Sequence, residues 1–238
     1  MVMDRFGNNP GHGAGAPPFD GKPETIGLFG GTFNPIHYGH LRAAEEIRES
    51  FHLKKIVFVP AHIPPHKEVQ ELVDPDHRLR MVELAIHGNS AYEFSDFEIK
   101  RDQTSYSILT VEHFLAECNG SVLLYFLMGM DSFGEITTWR DFVRLFSLVN
   151  FIVFTRPGYP KKEISAILPV DVADDFHYHA DENCYRHSSD HTVHFYEGTL
   201  IDISSRGIRS RLKQGRSIRY LVPSAVADYI ENNKLYAR

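Results

Sequence analysis

The sequence is poor in cysteine and has no long apolar run. Its 238 residues include two cysteines, Cys118 and Cys184, whose spacing indicates no disulfide framework and favours a reducing, cytoplasmic compartment. No stretch approaches the roughly 18 apolar residues that a membrane span needs, and the N-terminus lacks the pattern of a secretory signal. The net charge of −6 argues against a nucleic-acid binder, because such proteins usually carry a basic excess. We therefore expect a globular protein that binds neither membranes nor nucleic acids.

The chain separates into a polar N-terminal arm and one α/β domain. Residues 1–23 are rich in Gly, Pro and Asn and predict a flexible arm, because they offer little apolar surface to bury. From residue 24 to residue 238, short apolar strands alternate with helices, which predicts a doubly wound, mostly parallel sheet. Residues 174–194 are polar and hold five histidines, which predicts an inserted surface loop. Residues 199–203 predict a last short strand, and residues 204–238 a small helical portion.

The strongest functional signal lies in residues 30–40, between the first strand and the first helix. Gly30 and Gly31 let the backbone approach a phosphate closely, and the helix adds its positive N-terminal end. His37 and His40 are three residues apart and can share one helix face, where their N–H groups can stabilise charge on a transferring phosphoryl group. The same residues also fit an ordinary turn with solvent-facing histidines. A zinc site is weakly supported, since no third ligand is evident.

Two other segments are predicted to reach the same edge of the sheet. Residues 129–131 follow the apolar run 122–127, and residues 204–209 follow the predicted strand 199–203. Ligands of parallel α/β sheets bind beyond the carboxyl ends of the strands. The common placement of residues 30–40, 129–131 and 204–209 therefore predicts a nucleotide site more strongly than any single motif does.

The ordered motifs resemble a known family. Residues 30–41 resemble the signature of the His-x-Gly-His nucleotidyltransferases, and more narrowly that of bacterial nicotinate-nucleotide adenylyltransferases. Further matches lie at residues 63–67, 105–107, 129–131 with Trp139, 156–158 and 203–209. Two departures are Arg206-Gly207, where the family usually has Thr or Ser followed by a larger residue, and Ser107 in place of Thr.

The resemblance implies a Rossmann-like fold and transfer of AMP from ATP to nicotinate mononucleotide. The products would be nicotinate adenine dinucleotide and pyrophosphate, in NAD biosynthesis, with Mg²⁺ carried by ATP and no metal site on the protein. The implied catalytic residues are His37, His40 and Arg209. The implied ATP-binding residues are Gly30, Gly31, Thr32, His37, His40, Gly129, Asp131, Ser204, Ser205 and Arg209. Those implied for the nicotinate nucleotide are Thr32, Phe33, Lys67, Tyr106, Ser107, Trp139 and Arg156.

Several alternatives stay open at this point. The substrate could be nicotinamide mononucleotide, or the chain could be a non-catalytic nucleotide-binding protein of the same fold. Trp139 also fits a core aromatic, Asp131 a helix cap and Lys67 a solvated loop charge. The histidines of residues 174–194 could bind a metal together with Cys184. The oligomeric state is open, a homo-oligomer included.

Overall fold

A computed structural model describes residues 23–65, 72–118, 121–155 and 158–237. The predicted arm lies outside these residues except for Pro23, and so do Lys67 and Arg156. Within the described ranges the strands are β1 Glu24–Gly31, β2 Lys55–Pro60, β3 Tyr92–Phe94, β4 Val122–Gly129, β5 Asn150–Phe154, β6 Phe176–His179, β7 Cys184–His187 and β8 Thr192–Tyr196. The α-helices there are α1 Tyr38–Ser50, α2 Pro75–Ile86, α3 Phe97–Lys100, α4 Ser107–Cys118, α5 Met130–Phe133, α6 Phe142–Phe146, α7 Val170–Ala173, α8 Ser205–Lys213 and α9 Ser224–Asn232, with 3₁₀ turns at Ile136–Thr138 and Ile164–Ala166.

The strands form one sheet in the order β3-β2-β1-β4-β5-β8-β7-β6. Pairing is parallel from β3 to β8 and antiparallel from β8 to β6, which confirms the predicted mostly parallel sheet. The chain proceeds outward from β1 to β3 on one side and from β4 to β5 on the other. The order therefore reverses between β1 and β4, and a ligand crevice is expected beyond the carboxyl ends of these two strands.

Helices cover both faces of the sheet. Every residue of β5 is buried, as expected for a strand covered on both sides. One core cluster packs the sheet against α4 and α6 through Ile108, Val111 and Phe146. The other packs it against α1, α2, α8 and α9. Helix α2 begins at Pro75 after the N-cap Asp74, whose carboxylate accepts a hydrogen bond from the Asp76 amide at 2.9 Å. In the described residues no helix is long and apolar enough to span a membrane.

Two predictions for the second half of the chain are wrong. Residues 174–194 are not a loop, because β6, β7 and the start of β8 occupy them. The last three residues of β6 are exposed at the sheet edge, and such polar edge strands read like loops. Residues 199–203 form no strand. Instead, the Thr199 amide donates to the Glu46 carboxylate at 2.8 Å, which fixes this segment beside α1.

Candidate active site

The loop that leaves β1 is closely packed around Gly31. A methyl group on Gly31 would lie 2.8 Å from the Phe33 ring, so a larger residue would displace the loop. Phe33 has a positive φ of 46°, and its ring is buried with the core aromatics. The Phe33 ring, which was predicted to contact the nicotinate nucleotide, therefore packs in the core. Gly30 and Thr32 flank Gly31 at the carboxyl end of β1, where the phosphate cradle is predicted.

His37 and His40 stack on each other at the start of α1. Their ring centroids are 3.7 Å apart, and the His37 amide donates to His40 Nδ1 at 3.3 Å. An accepting Nδ1 needs a lone pair, so the proton of the His40 ring lies on Nε2. His37 is 1% exposed, whereas His40 is partly exposed. Gly39 permits this stacking, since a methyl group there would lie 3.0 Å from His37 Nδ1. Of the two rings, His40 is better placed to present an N–H donor to a ligand.

Helix α8 docks its first turns on the same loop. Ser204 is the N-cap of α8, and its hydroxyl accepts a hydrogen bond from the Gly207 amide at 3.1 Å. The Ser205 hydroxyl donates to the Pro35 carbonyl at 2.9 Å, and Arg209 Nη1 donates to the Asn34 carbonyl at 3.0 Å. The structure thus brings residues 204–209 to the β1–α1 loop, although residues 199–203 form no strand before α8.

The segment that follows β4 lies at the point where the strand order reverses. Gly129 ends β4 and precedes α5, and partly buried Asp131 belongs to the first turn of that helix. Because β4 pairs directly with β1, these residues lie beside the β1–α1 loop. Trp139 is partly exposed and packs edge-on against Phe126 of β4, with 6.1 Å between ring centroids. Residues 129–131 and the β1–α1 loop therefore lie at the same crevice.

The turn before α4 forms the far side of the crevice. Ser107 is the first residue of α4, and the Arg140 guanidinium lies 5.0 Å above the Tyr106 ring. The Ser105 amide donates to the Ile63 carbonyl at 2.9 Å, which joins this turn to the loop after β2. Tyr106 and Arg140 also line a cavity of about 450 Å³. Of the residues predicted to contact the nicotinate nucleotide, Tyr106 lines this cavity and Ser107 follows it at the start of α4, whereas Lys67 and Arg156 fall outside the described residues.

A buried carboxyl group, that of Glu98, binds the turn before α4. Glu98 is 9% exposed and accepts hydrogen bonds from Thr110 and Ser105. Burial raises the pKa of Glu98, and the hydrogen bonds from Thr110 and Ser105 oppose that shift. The Ser105 hydroxyl in turn accepts from the His62 amide at 2.9 Å. Glu98 therefore links α4 to the loop after β2.

Arg78 is a site-organising residue that the sequence reasoning missed. Its side chain is fully buried in α2, and its guanidinium donates to the main-chain carbonyls of Thr32, Ala61, His62 and Val73. These carbonyls belong to the loops after β1 and β2 and to the segment before α2. The sequence signal that could have indicated its burial was its position on α2, because Arg78 shares the buried face of that helix with Met81 and Val82.

Three of the five histidines of residues 174–194, namely His187, His191 and His194, lie within hydrogen-bond distance of neighbouring hydroxyls. Nδ1 of His187 and Nδ1 of His191 lie 2.8 Å and 3.1 Å from the Ser189 hydroxyl. Burial lowers the pKa of His187, His191 and His194. No group of three or more His, Cys, Asp and Glu side chains that could hold a metal ion occurs among the described residues.

Comparison with known proteins agrees with this geometry. The family model described as cytidylyltransferase-like matches residues 28–211. A probable nicotinate-nucleotide adenylyltransferase of Geotalea daltonii is 46% identical over 211 residues, which cover 89% of this chain and 97% of the relative. A protein of the same description from Syntrophotalea carbinolica is 44% identical over 211 residues, covering 89% of this chain and 96% of that one.

Among solved structures, the nicotinic acid mononucleotide adenylyltransferase of Plasmodium falciparum complexed with NaAD superposes with a TM-score of 0.66 at 17% identity, covering 90% of this chain and 97% of the other. At that identity the likeness concerns the fold alone. The family match and the relatives carry the assignment: the chain belongs to the cytidylyltransferase-like family, in its branch of nicotinate-nucleotide adenylyltransferases.

Proposed function

We propose that this protein transfers the adenylyl group of ATP to the 5′-phosphate of nicotinate mononucleotide. The products are nicotinate adenine dinucleotide and pyrophosphate, in NAD biosynthesis. Family membership supports the reaction class, and the Plasmodium falciparum structure holds NaAD. The observation that carries the proposal is the His37–His40 stack beside the docked start of α8, because it gathers phosphate-binding groups at the switch point of the sheet.

The reaction needs positioning and charge stabilisation rather than a general base. The attacking phosphate oxygen of nicotinate mononucleotide is already ionised at neutral pH. It bonds to the α-phosphorus of ATP while the bond from that phosphorus to the bridging oxygen breaks, and pyrophosphate leaves with that electron pair. Preorganised donors stabilise the charge that develops on the α-phosphate. His40 supplies one such donor, since its ring proton lies on Nε2.

The remaining ATP contacts follow from the donors around the crevice. Gly30, Gly31 and Thr32 hold the nucleotide through the backbone, and His37 contributes to the same phosphate site. Ser204, Ser205 and Arg209 bind the β- and γ-phosphates, since a helix N-terminus and a planar guanidinium both suit phosphate. Gly129 and Asp131 contact the ATP as well. These assignments extend the family pattern to the corresponding residues of this chain.

The nicotinate nucleotide lies on the opposite side of the crevice. Trp139 stacks on the nicotinate ring, and the amides of Tyr106 and Ser107 meet its carboxylate at the positive end of α4. Arg140 adds a positive charge beside Tyr106. This environment favours the acid over the amide substrate. Lys67 and Arg156 are assigned to the same nucleotide from the family pattern alone.

Mg²⁺ enters with the ATP phosphates in this proposal. The groups assigned to those phosphates are amides, hydroxyls, imidazoles and Arg209, whereas Mg²⁺ prefers hard oxygen ligands such as phosphates and carboxylates. A cation bound by the phosphates themselves fits this donor set. Because the reaction consumes ATP, the proposed location of the protein is the cytoplasm.

A pyrophosphate-release assay with ATP, Mg²⁺ and either mononucleotide tests the function. We expect a higher kcat/KM for nicotinate mononucleotide than for nicotinamide mononucleotide, and the reverse preference would refute the assignment. His40→Ala should fold and lose about 10²- to 10³-fold in kcat. His87→Ala, at the exposed C-terminal end of α2, is the control. Nucleotide binding without pyrophosphate release would instead favour a non-catalytic binding protein.

A further inference from the structure

The last residues of the chain turn back toward the β1–α1 loop. Helix α9 ends at Asn232, and Lys234 follows with a φ of 51°. The Leu235 amide donates to the Ile230 carbonyl at 3.0 Å, a bond that spans five residues and closes the helix as in a Schellman motif. Tyr236 then adopts a φ of 61°. Two residues other than glycine therefore hold left-handed conformations within three positions, which is unfavourable locally.

This turn directs the Tyr236 side chain to Asn34. The Tyr236 hydroxyl donates to Asn34 Oδ1 at 2.7 Å, and the Val73 amide donates to the same oxygen at 3.4 Å. The main-chain carbonyl of Asn34 accepts from Arg209. Asn34 is 3% exposed, so these contacts lie inside the protein. Burial raises the pKa of Tyr236, which keeps the hydroxyl protonated as a donor.

Asn34 lies three residues before His37 and six before His40. The Asn34 carbonyl accepts from Arg209, and the Pro35 carbonyl accepts from Ser205. Only Pro35 and Ile36 separate Asn34 from His37, so the position of Asn34 constrains that of the imidazole pair, whereas Trp139 and Tyr106 belong to other parts of the chain. We propose that Tyr236 is a positioning residue for the adenylyl transfer, which fixes the β1–α1 loop through Asn34. This inference rests on the proposed function for its catalytic part.

The hydroxyl can be separated from the ring. The ring packs against the core cluster that contains Phe33 and Ile36, and Tyr236→Phe retains that packing while it removes the donor to Asn34. A matched control exists in α9, where the Tyr229 hydroxyl pairs with His77 Nδ1 of α2 at 2.8 Å rather than with Asn34. Tyr229→Phe removes one comparable hydrogen bond from the same C-terminal portion.

The experiment compares these two variants with the wild type in steady-state kinetics and in amide hydrogen exchange. Tyr236→Phe should lower kcat about three- to tenfold, the scale of one lost hydrogen bond, with KM for nicotinate mononucleotide unchanged within about twofold. Exchange should accelerate in the peptide that covers residues 32–41. Tyr229→Phe should change neither quantity.

Each outcome decides a separate question. Wild-type kcat in Tyr236→Phe, or exchange of residues 32–41 equal to that of Tyr229→Phe, overturns the positioning role. An equal loss of kcat in Tyr236→Phe and Tyr229→Phe reveals a general stability effect, and this result also overturns the positioning role of Tyr236. If the wild-type protein does not turn over these substrates, the proposed function fails, and the exchange comparison alone decides whether Tyr236 holds the loop.

Discussion

Replacing Arg78 with methionine should strongly destabilise the protein. Arg78 is 0% exposed and donates from Nη1 to Thr32 at 2.9 Å, from Nη2 to His62 at 2.7 Å, from Nε to Val73 at 3.1 Å, and from Nη1 also to Ala61. Hydrogen bonds from a charged donor contribute about 1.5–3 kcal/mol each. Their sum overstates the effect, because burial of the guanidinium is itself unfavourable, as the lowered pKa of Arg78 shows.

We therefore expect Arg78→Met to lower the free energy of unfolding by about 3–5 kcal/mol, because four main-chain carbonyls lose their buried donor at about 1–3 kcal/mol each and relief of the buried guanidinium offsets part of that loss. Urea unfolding followed by circular dichroism measures this difference. Arg80→Met is the control, since Arg80 lies on the same helix in an exposed ion pair with Glu83 and should change stability by less than about 1 kcal/mol.

Arg78→Lys provides a second variant in case the methionine protein does not fold. A lysine ammonium has fewer donors and no planar fork, so this variant should be intermediate in stability. Its KM for both nucleotides should rise, because the loops after β1 and β2 lose part of their common support. Unfolding free energies for Arg78→Met and Arg78→Lys that both equal that of Arg80→Met would refute the reasoning.

Two further predictions concern the imidazoles. Gly39→Ala should change the free energy of unfolding by less than about 1 kcal/mol, since Ala favours a helix. It should nevertheless lower kcat at least about tenfold, because the new methyl group would lie 3.0 Å from His37 Nδ1. A wild-type kcat in this variant would contradict the prediction. Burial lowers the pKa of His187, His191 and His194 in the folded protein below the ordinary value of 6.5. Protons therefore bind more strongly to these histidines in the unfolded chain, and the free energy of unfolding falls as the pH drops below about 6.5. Urea unfolding from pH 7.5 to 5.5 should show a shallower pH slope in His194→Gln, and an unaltered slope would count against it.

The elements that could be predicted are those whose local pattern agrees with their burial. The apolar run 122–127 lies within β4, where Leu124, Phe126 and Leu127 are buried, and the predicted C-terminal helical portion begins with α8. The polar edge strand β6 could not be recognised, because only Phe176 among its four residues is buried. Its pairing with β7 depends on a partner strand rather than on its own composition.

Arg78 shows why the support of the site was harder to predict than its motif. An arginine in a helix normally lies at the surface, and nothing in the local sequence identifies its acceptors. Those carbonyls belong to Thr32, Ala61, His62 and Val73, which converge only after the sheet and α2 have packed. Its position on the apolar face of α2 indicates burial but not the partners.

The conformation of residues 32–37 depends on distant parts of the chain. Arg78 holds the Thr32 carbonyl, Ser205 holds that of Pro35, and Asn34 binds both Arg209 and Tyr236. Ser205, Arg209 and Tyr236 are separated in the sequence by about 170 residues or more from the loop residues that they contact. Such contacts form only after the intervening chain has folded, because closure of long loops must precede them. In the proposed mechanism the glycines and histidines of the motif supply the chemistry, whereas the C-terminal helices and tail fix the conformation of the loop that carries them.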